Sequence, residues 1–209
     1  VPVQLGYATG NLLNLFCYLN IDLSGYDFSA LAIWQAYLVN VNLHSVNFAG
    51  ADFRATVFAE TFGIVAAVAF NADGTLLAAG TASGDIRVWH MASGKTWFVC
   101  HGHRDWVLSV AFSHQTGLLA SGSEDQTVQL WHGNSGQHIY TLVGHTGRVR
   151  SVTFSPDDQL LATGGDDATI RIWHVQTGRI LHIICGHSAA IRWVAFSHDG
   201  YLLASGGDD

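Results

Sequence analysis

Trp89, Trp131 and Trp173 recur every 42 residues in near-identical settings: Arg87-Val88-Trp89-His90, Gln129-Leu130-Trp131-His132 and Arg171-Ile172-Trp173-His174. Phe70, Phe112, Phe154 and Phe196 keep the same step, as do the pairs Gly102-His103, Gly144-His145 and Gly186-His187. A fixed period of this length marks one supersecondary unit copied in tandem, each copy burying its apolar face against the next. A chain so constrained builds an array of similar elements, not a single core around one cleft.

Within a copy, four short β-branched or aromatic segments alternate with turn residues: Val107 to Ser113, Leu118 to Ser123, Thr127 to His132 and His138 to Leu142. Asn71-Ala72-Asp73-Gly74, Ser155-Pro156-Asp157-Asp158 and Ser197-His198-Asp199-Gly200 separate the first and second segments, and Ser93-Gly94, Ser135-Gly136 and Thr177-Gly178 the third and fourth. Each copy is therefore expected to form a four-stranded antiparallel sheet, in an all-β fold. Charged residues at 12% and 23 glycines among 209 residues suit many short strands joined by tight turns.

A net charge of −7 disfavours binding to phosphate backbones, so no nucleic-acid partner is expected. No apolar run approaches the ~20 residues that span a bilayer, and no signal segment opens the chain, so a cytoplasmic protein without a membrane partner is expected. Cys17, Cys100 and Cys185 are scattered and odd in number, which fits three reduced core residues better than a disulfide framework. The chain begins at Val1 rather than Met and stops in mid-repeat at Asp209, the expectation being a piece of a longer product.

Ahead of the 42-residue units lies a shorter period. Leu23, Phe28, Ile33, Leu38, Leu43, Phe48, Phe53 and Phe58 fall at every fifth position, and two residues before each come Ile21, Tyr26, Leu31, Ala36, Val41, Val46, Ala51 and Thr56. Asp22, Asp27, Asn42, Asn47 and Asp52 stand between. This stretch resembles the pentapeptide-repeat family, and the resemblance implies a right-handed β-solenoid with four pentads per turn. Eight pentads make about two turns over residues 21–60, with the central apolar residue and the small residue before it pointing inward, and Tyr26 and Leu31 making the first turn less regular. Some members of that family imitate DNA, but two turns at ~4.8 Å each rise only about 10 Å, against about 34 Å for one turn of the duplex. A spacer or cap is expected instead. Residues 1–20 hold apolar residues at helical spacing behind Asn11, a candidate N-cap, and predict a short helical cap or linker.

Residues 61–209, with Gly-His opening a unit and Trp closing its third strand, resemble WD repeats, which form β-propeller blades. His90, His132 and His174 stand where the usual Asp follows Trp, a variable position. The resemblance implies a hydrogen-bonded His, Ser/Thr, Asp and Trp network tying each blade. In the second unit this would be His103, Ser121, Asp125 and Trp131; in the third, His145, Thr163, Asp167 and Trp173; in the fourth, His187, Ser205 and Asp209. The first unit has Thr61, Ala79, Ser83 and Trp89 and should lack the network. The physical sense is that a buried His and Asp are costly unless a connected chain of hydrogen bonds meets every polar atom.

Ser121, His103 and Asp125 are also the residue types of a hydrolase triad. Multiplicity argues against it: the trio recurs in three units, and no Gly-X-Ser-X-Gly elbow precedes the serine. Cys100-His101-Gly102-His103 crowds three metal-ligand types together, yet no paired Cys-X-X-Cys or His-Glu-X-X-His motif completes a site. No P-loop or dinucleotide fingerprint appears. No catalytic residue, metal or cofactor is therefore expected.

What remains is recognition of a protein or peptide ligand. In WD-repeat propellers partners dock on the narrower face, and the matching positions are Trp106 with Leu108, Arg148 with Arg150, Ala190 with Arg192, and Glu124, Asp166 and Asp208. An exposed Trp near arginines has the composition of a binding hot spot, although any one of these can equally be a solvated rim residue. Propellers close with about four to eight blades, so three and a half imply further blades, and the fourth should leave an open sheet edge prone to pairing with neighbours. The order of helix, solenoid and WD repeats resembles large bacterial regulators in which an NB-ARC-type nucleotide-binding switch precedes the repeats. This implies the sensor or scaffold portion of a signalling NTPase, with nucleotide bound only by an upstream domain. The alternatives are a stand-alone scaffold and, third, a propeller hydrolase.

Overall fold

The computed structural model describes residues 5–19, 21–38, 41, 43, 45–57 and 64–209. The chain divides into two compact units, Val1–Thr61 and Phe62–Asp209.

The first unit opens with α1 (Leu5–Tyr18). The helix starts well before Asn11, which lies in its interior rather than at its N-cap. It runs through Gly6 and Gly10 because both face Trp34: a Cβ on Gly6 would stand 2.4 Å from the indole, and one on Gly10 1.9 Å from the Trp34 carbonyl oxygen. Glycine weakens a helix by about 1 kcal/mol, and here the close approach requires it. Beyond α1 the chain coils so that Asp27 bridges Asn47, Ala32 bridges Asp52 and Tyr37 bridges Val57, all in parallel. Each bridge joins residues 20 apart. The amides of Ile33 and Leu38 donate to Asp52 and Val57, and those of Asp52 and Val57 donate back to Leu31 and Ala36.

Left-handed backbone recurs every fifth residue at Gly25, Ala30, Gln35, Ser45, Gly50 and Ala55, turning the chain at each corner. Leu23, Phe28, Ile33 and Leu38 are buried with Ala36 and Leu13 of α1, while Leu43, Phe48 and Phe53 are partly buried against them. Ile21, Tyr26 and Leu31 are exposed, so these larger side chains turn outward at positions where small residues were expected to face in. Asn42, Phe58 and residues 59–60 lie outside the described residues.

The second unit is a succession of antiparallel sheets. The first comprises β1 (Val65–Phe70), β2 (Leu76–Thr81), β3 (Asp85–His90) and β4 (Lys95–His101). The second comprises β5 (Val107–Phe112), β6 (Leu118–Ser123), β7 (Thr127–His132) and β8 (His138–Val143). The third comprises β9 (Val149–Phe154), β10 (Leu160–Gly165), β11 (Thr169–His174) and β12 (Ile180–Cys185), and β13 (Ile191–Phe196) pairs with β14 (Leu203–Gly207). Strands follow chain order in every sheet, and the first strand of each lies beside the first strand of the next.

Apolar cores form between consecutive sheets. Val88, Ile86, Val107 and Leu119 share one core, Leu130, Val149 and Leu161 a second, and Ile170, Ile191 and Val194 a third. Gly80, Gly122 and Gly164 permit this approach: a Cβ at each would fall within 2.6–2.7 Å of Val107, Val149 and Ile191 on the following sheet. Cys100 is core, its thiol pushed up to about 12 by burial. Cys17 is partly buried and packs against the core of the first unit, whereas Cys185 is exposed on β12, which corrects the expectation that it is a core residue.

Candidate functional site

Each of the second and third sheets encloses a directional chain of polar contacts. In the second, Trp131 Nε1 donates to Ser121 Oγ (3.0 Å), that hydroxyl faces His103 Nε2 (2.8 Å), and His103 Nδ1 meets Asp125 Oδ2 (2.9 Å). The carboxylate also accepts the Arg104 amide (3.0 Å), the Thr127 amide (2.9 Å) and the Thr127 hydroxyl (2.6 Å). Burial alone would raise this carboxyl; the contacts from His103, Thr127 and the Arg104 amide outweigh it and hold it well below the ordinary carboxylate range.

The third sheet repeats the arrangement with Trp173 Nε1 to Thr163 Oγ1 (2.9 Å), Thr163 to His145 Nε2 (2.8 Å) and His145 Nδ1 to Asp167 Oδ2 (2.9 Å). Burial pushes the His145 imidazole below the ordinary histidine value, more than Asp167 raises it. In the last pair of strands His187 joins Ser205 (2.8 Å) to Asp209 (2.7 Å), partly open to solvent. In the first sheet Ala79 offers no hydroxyl, and Ser83 instead contacts Thr81 (2.9 Å) and Asp85 (3.3 Å). Thr61 lies outside the described residues.

Ser121 and Thr163 are fully buried, and each hydroxyl lies between an indole N–H and an imidazole. Neither is placed to meet a substrate. The residues of Cys100-His101-Gly102-His103 separate into different surroundings: Cys100 in the apolar core, His101 outward on Asp85 (2.7 Å), His103 inward on the clamp.

The second cluster lies where the first strand of a sheet begins. Arg150 pairs with Asp166 through both Nε and Nη2, and Arg192 with Asp208 in the same fork. Arg148 reaches back to Glu124 of the preceding sheet (3.0 Å) and lies 4.0 Å from Asp166. These arginines are thus paired within the chain rather than free. Arg148 and Arg192 keep half their side chains exposed. Trp106 is half-buried, a correction to the expectation of an exposed indole, and Leu108 and Ala190 are half-buried as well.

Two devices joining neighbouring sheets escape a residue-by-residue search. Ser109 Oγ accepts the Val152 amide of the next sheet and Ser151 Oγ the Val194 amide, both at 3.1 Å. The signal was present, since Ser109 and Ser151 keep the 42-residue step. Asp158 is different: its buried carboxylate accepts the amides of His114 (2.8 Å), Gln115 (2.7 Å) and Thr116 (2.9 Å) across the sheet boundary. Nothing in the repeat announces it, because Gly74, Thr116 and Gly200 hold its place elsewhere.

Comparison with known proteins agrees with this architecture. The WD domain, G-beta repeat family matches residues 53–90, 94–132, 136–174 and 178–209. Each matched stretch ends at the third strand of a sheet or at the chain's end, and the second and third begin beside the outer strand of the sheet before, so one sequence repeat spans two sheets. An uncharacterised WD repeat-containing protein of Nostoc sp. (alr2800) is 50% identical over 106 residues, 51% of this chain and 8% of its own length. A second from the same organism (alr3466) is 44% identical over 107 residues, 51% of this chain and 7% of its own length. The chain thus spans less than a tenth of these curated relatives. With the family matched across most of its residues and the repeating clamp in place, the chain belongs to the WD domain, G-beta repeat family.

Proposed function

We propose that this chain is a non-enzymatic protein–protein interaction module, the sensor or scaffold portion of a larger bacterial signalling NTPase. WD repeats build protein-interaction scaffolds, and those of this family are typically non-enzymatic. The observation that carries the reading is the repetition of a sealed clamp: His, Ser/Thr and Asp occur in three blades at equal spacing, and in the two complete ones the hydroxyl is buried. A reaction needs one accessible nucleophile, whereas a stack of sheets needs every clamp. In this reading His103, Ser121, Asp125 and Trp131, with their counterparts in the next blades, are structural.

The docking face is the one that carries Trp106, Glu124, Arg148, Arg150, Asp166, Arg192 and Asp208. Its support is the half-exposed Arg148 and Arg192, each paired with a carboxylate that a partner can also address from outside. Quantitative affinity capture tests this, with the chain and with a Trp106→Ala, Arg148→Glu variant of unchanged melting temperature. A protein retained by the first and depleted roughly tenfold or more from the second is the expected result. Equal retention would place docking elsewhere.

Residues 21–60 are proposed to be a pentapeptide-repeat solenoid of about two turns, residues 1–20 its cap, and residues 61–209 propeller blades. The bridges 20 residues apart and the left-handed corners every five support the solenoid. For the cap, Asn14 Nδ2 donates to the Gln35 carbonyl (3.0 Å) and Asn14 Oδ1 accepts the Tyr37 amide (2.6 Å), covering a coil edge. Coding DNA upstream of Val1 tests the NTPase setting: a Gly-X-X-X-X-Gly-Lys-Ser/Thr loop there supports the switch, and a start codon with nothing before it removes it. A cytoplasmic location is part of the proposal; among the described residues no helix is long and apolar enough to cross a membrane.

A further inference from the structure

One position on the third strand of the complete blades carries Arg87, Gln129 and Arg171 in turn. In the third blade Arg171 lays its guanidinium over the clamp. Its Nη2 is 3.6 Å from Asp167 Oδ2, and its Nη1 lies so near Gly144 that a Cβ there would come within 2.8 Å. In the second blade the frame of that guanidinium is repeated, with Gly102 for Gly144, Asp125 for Asp167 and Thr127 for Thr169. The arginine is not. The shorter Gln129 leaves a cleft of about 290 Å³ lined by Gly102, Arg104, Asp125, Thr127, Gln129 and Thr141.

Gln129 is 5% exposed, and its Oε1 has no hydrogen-bond donor among the described residues. That oxygen rests against Gly102 on the cleft wall, and the amide nitrogen faces His103 Nδ1 at 3.4 Å. A buried amide oxygen left unmet is costly, and such groups in folded proteins ordinarily find a partner. The cleft is thus bordered by the Asp125 carboxylate and the hydroxyls of Thr127 and Thr141, with the unmet Gln129 oxygen buried against Gly102 in its wall. In the third blade the chain's own Arg171 fills this place, its Nη2 3.6 Å from Asp167 Oδ2 and its buried Nε without a hydrogen-bond partner among the described residues.

We infer that this cleft receives the guanidinium of an arginine side chain from a protein partner. A planar fork can lie against Asp125 as Arg171 lies against Asp167 and donate to Gln129 Oε1 once that amide turns into the cleft, whereas a lysine ammonium is a compact, strongly hydrated point charge without that geometry. The chain's net charge of −7 favours a cationic visitor. Arg104, exposed at the mouth, opposes it. The inference rests on the interaction-module reading and names the chemistry of one contact.

The test is an NMR titration of the 209-residue chain with Nα-acetyl-arginine methylamide, followed at the amides of Gly102, Thr127 and Thr141. Saturable shifts are expected, weaker by roughly tenfold or more with the lysine analogue. Gln129→Arg copies the residue of the third blade, should fold as that blade does, and should abolish the shifts; Arg104→Ala should strengthen binding. Absence of saturable shifts in the unaltered chain, equal binding of the lysine analogue, or unchanged binding in natively melting Gln129→Arg would each overturn the inference. None of these outcomes alters the capture result at the Trp106 and Arg148 face, so the two readings fail separately.

Discussion

At the scale of single residues, His145 is the most informative position. It is buried, and its ring joins Thr163 to Asp167. His145→Ala is expected to lower stability by about 2–3 kcal/mol, the cost of leaving buried partners unmet, read as a shift in the denaturation midpoint. The same residue sets a pH dependence. Its folded value lies below its unfolded one, so the unfolded chain takes up the extra proton and stability falls as pH drops through about 6.5. Asp125 and Asp167 are held below the ordinary carboxylate range, so their contribution is full above pH ~4 and is lost only below it. The melting temperature should therefore fall from pH 7.5 to 5.5 and again towards pH 3; a rise over the first interval contradicts the neutral, buried imidazole. The clamp residues were legible in sequence because four residue types recur at one spacing. Trp106 was not, since half-burial of an indole depends on neighbours that periodicity does not report. The exposure of Cys185 is not legible because a thiol reads as apolar; like its counterparts Val143 and His101 it lies exposed on an outer strand.

At the scale of elements, the step from sheet to sheet depends on glycine. A Cβ at Gly122 would stand 2.7 Å from Val149, whereas nothing lies within 4 Å of one at Gly206. Gly122→Ala is expected to cost about 1–3 kcal/mol through overpacking, and Gly206→Ala to leave the melting temperature unchanged; equal effects would refute the knob-and-socket step. Asp158→Ala should likewise destabilise the second and third sheets together, because three backbone amides lose their buried acceptor. Hydrogen exchange would show faster exchange at Gln115 and Thr116 in that variant. The four segments of each sheet could be read from turn residues and β-branched runs, but contacts such as Asp158 with 114–116 could not, because one unrepeated residue leaves no periodic trace. The start of α1 is illegible in the sequence for a related reason: Gly6 and Gly10 disfavour a helix locally and are used only because Trp34 packs against them.

At the scale of the whole molecule, two periods build two units by the same physical rule, in which each copy satisfies its backbone or its apolar face against the next. The 42-residue period made the sheets legible, while the partner leaves no such mark, because a docking face has no obligatory motif. In the proposed reading the clamps hold the platform on which recognition takes place and are not themselves reactive. Calorimetric melting of Ser121→Ala in the 209-residue chain tests this most directly. The account predicts a melting temperature about 3–6 °C lower, since Trp131 Nε1 and His103 Nε2 lose their shared buried hydroxyl. An unchanged melting temperature would mean that Ser121 holds nothing together, and would contradict the claim that these polar chains exist to tie the strands of each sheet.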